Sequence, residues 1–269
     1  MSDTQFYGRF DNSSQNKQRD SYSASNSVGY SIAKVFGYMF IWLAITTIVT
    51  FGLAFLFNTL LTNAVTTAEK DKIFGAEIAL AIASGIGLII MTIVTQFILL
   101  RGRHSVAVPA AIYSVLMGVL LGVMSSMITE VFENGWFIIG SSFGITTTIF
   151  GAMALIGLLA KSKLNALPII AGGLFMGAML ISIFLLVMML VPSLRVYYVS
   201  WYWVLMLGIF AAVMLITIWD IRNIKTMAER GALTKNLSMY LAFNLYVDFI
   251  YILMRVMYFV MIIAGKAKK

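Results

Sequence analysis

Long apolar runs, separated by short polar stretches, dominate this chain. A helix that crosses a bilayer needs about 20 predominantly apolar residues. Runs of that kind fall near residues 33–58, 73–100, 106–128, 136–160, 166–192, 198–222 and 239–264. The pattern predicts an all-α polytopic integral membrane protein with seven transmembrane helices. Several runs exceed the bilayer minimum, so tilted helices or protruding ends are expected. Residues 1–31 are polar and read as a disordered cytoplasmic tail. Residues 32–265 form the seven-helix domain, and 266–269 a basic tail. The amino-terminal stretch lacks the apolar region of a secretory signal.

Composition agrees with this division. Hydrophobic residues make up 61% of the chain and charged residues only 11%, with a mean hydropathy of +0.93. Soluble domains carry about 45–50% apolar and about 25% charged residues. The net charge of +8 sits in tails and short loops. Basic residues so placed set membrane orientation and do not form a phosphate-binding stripe, so the partner is the lipid bilayer and not nucleic acid. Of the 19 Lys and Arg residues, 12 fall on the side of the amino terminus, including Arg101, Arg103, Lys161, Lys163 and those between Arg222 and Lys235. The positive-inside rule puts that side in the cytoplasm. Lys266, Lys268 and Lys269 lie outside if the seventh segment crosses fully, and its length favours crossing. The absence of cysteine excludes disulfides, thiolate metal sites and cysteine nucleophiles.

Three pairs of glycines four residues apart, Gly118 with Gly122, Gly140 with Gly144 and Gly173 with Gly177, read as helix-packing positions. The 18 methionines read as adaptable core filler.

Ionisable residues inside the apolar runs are few, which singles out two. Asp248 lies within the last run and Asp220 at the end of the one before it. An ionised carboxylate near mid-bilayer costs about 2.5–3.5 kcal/mol on insertion scales, so it calls for a partner or a proton. Within hydrogen-bond distance the two acids would share a proton and titrate as a unit. The plainer alternative is two separately satisfied acids, Asp220 at the interface beside Arg222 and Asp248 bonded to a neighbouring helix or to Arg255. Depth argues against easy pairing. Asp220 lies within about a turn of its segment's end, whereas Asp248 lies roughly 10–15 Å into the next. Pairing requires the seventh segment to start late or to sit displaced towards the cytoplasm.

The other candidates are weaker. Glu77 falls in the first turn or two of the second segment, where a carboxylate meets the positive end of the helix or interfacial water. Glu130 and Glu133 flank an outer loop, as solvated acids or as an acidic mouth that concentrates cations. Arg101 and Arg103 close the second segment on Asp220's side and could pair with it in bidentate fashion, or simply set topology. Arg255 follows Asp248 on about the same helical face, placed to pair with it or to snorkel. His104, the single histidine, sits in a loop. No phosphate loop, metal-ligand cluster or activated nucleophile is legible, so no enzyme, cofactor or tightly bound metal is expected.

Two motifs carry a resemblance. Leu245-Tyr-Val-Asp-Phe-Ile is similar to the Leu-Tyr-Leu-Asp-Phe-Ile motif of the Bax-inhibitor family, the transmembrane Bax-inhibitor-motif proteins. Trp219-Asp-Ile-Arg-Asn-Ile-Lys resembles that family's Tyr-Asp-Thr-Gln-x-Ile-Lys segment, and Ala33-Lys-Val-Phe-Gly-Tyr-Met-Phe its first span. The likeness covers roughly residues 30–264 and points to a bacterial member. Tyr251 stands where the family has Asn, Arg222 where Gln is common, and Arg255 does not match the family's arginine near the end of the seventh segment.

The resemblance implies a seven-helix bundle with the last helix central. It also implies a paired-aspartate pH sensor, here Asp220 and Asp248, that controls a slow calcium leak. An arginine from the second segment, Arg101 or Arg103, would latch the closed state. Calcium ions and protons would be the species handled. Calcium prefers about six to eight oxygens, so passage with waters and carbonyls is expected in place of tight binding. A proton-coupled cation exchanger could use the same acids. A regulator that binds membrane proteases or other membrane proteins would transport nothing.

Overall fold

The computed structural model describes residues 7–101, 106–160, 166–191 and 195–267. Seven helices run in order: α1 (Tyr7–Asn63), α2 (Thr67–Arg101), α3 (Ala107–Val131), α4 (Gly135–Leu159), α5 (Ala166–Leu190), α6 (Arg195–Glu229) and α7 (Lys235–Ala267). Among the described residues, seven helices are long and apolar enough to cross a membrane. The protein is thus an all-α polytopic membrane protein, as the apolar pattern predicts.

The boundaries differ from the apolar runs, and the reasons are physical. α1 takes in polar residues ahead of its apolar run, from Tyr7 onward. Once a turn exists, adding residues costs far less than nucleating a new helix, and no proline interrupts this stretch. α2 begins at Thr67, before its apolar run, because Thr66 and Glu69 form a capping box. Glu69 Oε2 accepts from the Val65 and Thr66 backbone N–H groups, and the Glu69 N–H donates to Thr66 Oγ1 at 3.3 Å.

α6 runs on to Glu229, well past residue 222, where its apolar run ends. Its end is a Schellman motif: Gly231 N–H donates to the Ala228 carbonyl and Ala232 N–H to the Met227 carbonyl, each at 3.0 Å. That closure requires the left-handed conformation that Gly231 adopts, with φ of 66°. Thr234 Oγ1 then accepts from the Leu237 N–H at the start of α7. The chain therefore reverses within a few residues, and α6 and α7 form a tight antiparallel hairpin.

α7 is the centre of the bundle. It packs against α1, α4 and α6, and no residue from Leu237 through Ile262 is exposed. Its aromatic side chains set its rotation. Phe249 meets Phe150 and Phe143 of α4 edge-on, with ring centroids 5.4 and 5.8 Å away. Phe243 meets Tyr113 of α3 at 5.1 Å and 89°, a favoured geometry for aromatic pairs. α5, by contrast, packs on α6 and presents Met176, Leu180 and Leu186 outward. So much exposed apolar surface suits lipid, not water.

α1 and α3 are held by close approach. A Cβ built on Gly118 would lie 2.7 Å from Val49 Cβ and 2.9 Å from the Thr46 carbonyl oxygen, and one on Gly122 2.9 Å from Leu53 Cβ. Across the same seam Thr46 Oγ1 donates to the Ser114 carbonyl at 3.0 Å and Thr50 Oγ1 to the Gly118 carbonyl at 3.2 Å. Of the three glycine pairs, only this one packs backbone to backbone. Gly140, Gly144, Gly173 and Gly177 face open space. The spacing alone does not say whether a neighbour occupies that helix face.

Candidate functional site between helices α6 and α7

The extension of α6 removes the difficulty over depth. Both aspartates are interior to their helices, and the hairpin brings Thr217 opposite Asp248. The single Thr217 hydroxyl proton is shared between the Val213 carbonyl at 2.8 Å and Asp248 Oδ2 at 3.1 Å. Asp220 lies one turn nearer the hairpin on the same face of α6. Asp220 and Asp248 line one cavity of about 150 Å³, with Thr92 of α2, Tyr113 of α3 and Phe243, Asn244 and Val247 of α7. No late start or displacement of α7 is needed.

The walls fix the cavity. Tyr113 stands edge-on to Phe243 and Tyr246, the latter at 6.2 Å. Tyr246 is fully buried, with its hydroxyl 2.7 Å from Thr46 Oγ1. Thr46 gives its one proton to the Ser114 carbonyl, so Tyr246 is the donor in this pair. Thr92 is exposed and forms the lip of the cavity on α2. Two carboxylates, the hydroxyls of Thr92 and Tyr113 and an amide thus line one space inside a bundle of apolar helices. No hydrogen bond joins the two acids, and among the described residues no Lys or Arg pairs with either. Such a site can take up protons or offer oxygens to a passing cation.

The remaining candidates are dispersed. Arg101 ends α2, about 13 Å along the axis beyond Thr92. Its side chain, and Arg103 and His104 entirely, lie outside the described residues. Arg255 does not meet Asp248. Its guanidinium bonds the Tyr251 hydroxyl through Nε at 3.2 Å and Nη2 at 2.9 Å, contacts Met206 Sδ, and sits 5.0 Å from the Tyr251 ring centre. The seven-residue separation places Arg255 on the right face but about 10 Å away along the helix, and Tyr251 lies between. Arg222 is half-buried, with Nη1 enclosed and unpartnered. Glu77 is neither at the helix N-terminus nor at a wet interface. It is fully buried, on the face of α2 that packs against α3.

Sequence reasoning passed over Thr217, Asn244, Tyr113 and Thr92. For the first two a signal existed. Thr217 precedes Asp220 by three residues and Asn244 precedes Asp248 by four, so each is a polar neighbour on the acid's own helical face. Tyr113 and Thr92 are joined to the site only by tertiary packing.

Comparison with known proteins agrees with this architecture. Residues 29–265 match the family described as Inhibitor of apoptosis-promoting Bax1. A protein of Chlamydia muridarum (strain MoPn / Nigg), named only as an uncharacterized protein, is 30% identical over 168 residues, 60% of this chain and 69% of that protein. The family match reaches into all seven spans and includes both aspartate segments. The chain therefore belongs to the Bax inhibitor-1 family of integral membrane proteins, a membership consistent with a membrane channel or transporter role.

Proposed function

We propose that this protein is a pH-sensitive calcium leak of a bacterial cell membrane, gated by protonation of Asp220 and Asp248, with its amino terminus in the cytoplasm. The observation that carries the reading is the shared cavity. Two acids from α6 and α7 face one small polar space inside the bundle and have no cationic partner among the described residues. With the protons on, the pair is neutral and the hairpin loses the charge that a cationic latch would hold. With them off, the site presents carboxylate oxygens to a cation. Calcium's preference for several oxygens suits a transient stop completed by water, Thr217 and Asn244. The reaction is passage across the bilayer and needs no catalytic step. The match in Chlamydia supports the bacterial assignment, and the positive-inside distribution supports the orientation.

Purified protein in calcium-free liposomes tests the reading. Calcium entry should rise on acidification of the bath and should move no stoichiometric count of protons. Asp248→Asn should insert normally, because it removes a costly ionisable group, and should flatten the pH response. A wild-type pH profile in that variant would sink the sensor assignment. Absence of flux would point to a regulator, and fixed proton counter-flow to an exchanger.

A further inference from the structure

A second buried acid lies in the half of α2 away from Arg101. Glu77 is wholly enclosed, and neither of its carboxylate oxygens has a hydrogen-bond partner. Ser126 of α3 faces it, and Glu130, one turn further along α3, bears on it electrostatically. Ser126 is 1% exposed, and its hydroxyl is also unpartnered, short of completing a bond to Glu77. Glu130 is exposed at the rim. Among the described residues no Lys or Arg pairs with any of the three.

This cluster is separate from the cavity between α6 and α7. Glu77 precedes Thr92 on α2 by fifteen residues and Ser126 follows Tyr113 on α3 by thirteen, so the two sites stand about 20 Å apart along both helices. An enclosed carboxylate without a counter-charge or a donor is strongly unfavourable. Around Glu77 the Ser126 hydroxyl is one donor within reach, and no counter-charge is present among the described residues. What the cluster supplies is oxygen: two carboxylates and a hydroxyl, with no nitrogen or sulfur. That is the donor chemistry of calcium and magnesium, not of the transition metals. Two carboxylates, one of them a turn of α3 from a shared serine, also favour a divalent ion over a monovalent one. The exposed Glu130 gives a hydrated ion its approach, and the buried Glu77 gives it a wall where water is partly replaced.

We propose that Glu77, Ser126 and Glu130 form a second divalent-cation site, at the end of the bundle away from the paired aspartates. It stands without the leak reading, because binding is measured and not flux. The test is equilibrium binding of radioactive calcium to the full-length protein in nanodiscs, with Asp220→Asn and Asp248→Asn both present to silence the other cavity. That parent should retain one saturable calcium site. Adding Glu77→Gln should weaken it at least tenfold, and Ser126→Ala or Glu130→Gln severalfold. No saturable binding in the parent, or unchanged binding with Glu77→Gln, overturns the proposal. A Glu77→Gln protein that melts higher and binds as the parent does would mark an acid buried in its neutral form, which also overturns it. If Glu77→Gln does not fold, Ser126→Ala and Glu130→Gln decide, and parental affinity in both counts against the site.

Discussion

Thr217 of α6 stands 3.1 Å from the Asp248 carboxylate of α7 and shares its hydroxyl proton between that acid and the Val213 carbonyl, a contact that ties the two helices at the level of the polar cavity. In the proposed mechanism the ionised pair holds the closed state, and the Thr217 hydroxyl is its contact across the hairpin. Thr217→Val keeps the shape and removes the donor. A hydrogen bond to a charged group is worth about 1.5–3 kcal/mol, less here because the same hydroxyl also bonds the Val213 carbonyl. The neutral-pH calcium leak of Thr217→Val should therefore rise roughly three- to tenfold. Thr217→Ser should leak as the wild type does. Equal leaks in the wild type and Thr217→Val would detach the threonine from gating.

The α1–α3 seam predicts a contrast between glycines that look alike in the sequence. Gly118→Ala would put a methyl 2.7 Å from Val49 Cβ and 2.9 Å from a backbone oxygen, so the helices must separate. Overpacking of this kind costs about 1–3 kcal/mol. Gly140→Ala meets nothing within 4 Å and gains helix propensity, so it should be neutral or slightly stabilising. Thermal unfolding in detergent should lower the midpoint for Gly118→Ala only. Matching midpoints would mean that the seam relaxes freely.

Much of this fold is legible in the sequence because membrane helices need long apolar runs, and those runs are read by length alone. The ends of α6 and α7 are not. Arg222, Asn223 and Lys225 look like loop residues, yet all three are half-buried and helical, because the turn waits for Gly231. The two acids stand out by charge, and Thr217 and Asn244 by being polar on the same faces. Tyr113 and Thr92 come from helices distant in the chain, and no local pattern announces them. Glu77 is legible as an acid but not as a buried one, since its burial comes from the packing of α2 on α3.

Lys225 illustrates how a polar residue near a helix end can act on a neighbour. Its ammonium donates to the Leu158 carbonyl at 2.6 Å, at the last turn of α4, where carbonyls lack helical partners. A cation there also complements the negative end of the helix. Its other contact, Glu229 Oε1 at 3.9 Å, is long and partly exposed. Lys225→Met should lower stability by about 1 kcal/mol, or roughly 2–4 °C for a chain of this size. Glu229→Gln should change the midpoint little, because exposed pairs contribute little. A larger loss in Glu229→Gln than in Lys225→Met would reverse this assignment.

The latch remains to be tested from the arginine side. Arg101 closes α2 at the end where the α6–α7 hairpin lies, and Asp220 is the cavity acid nearer to that hairpin. About 13 Å of axial distance separates Arg101 from Thr92 at the cavity lip. A guanidinium reaching back along α2 would have to cover much of that distance to meet Asp220. If it does, the pair ties α2 to α6, and protonation of the aspartates releases it. Arg101→Ala should then raise the leak at neutral pH and leave little further rise on acidification. Asp220→Asn should raise it too, and the double variant should change the leak by less than the two single effects together on a free-energy scale, because both remove one interaction. Strict additivity would mean that the residues act apart. Arg101 would then serve orientation alone, and the closed state would rest on the Thr217–Asp248 contact within the hairpin.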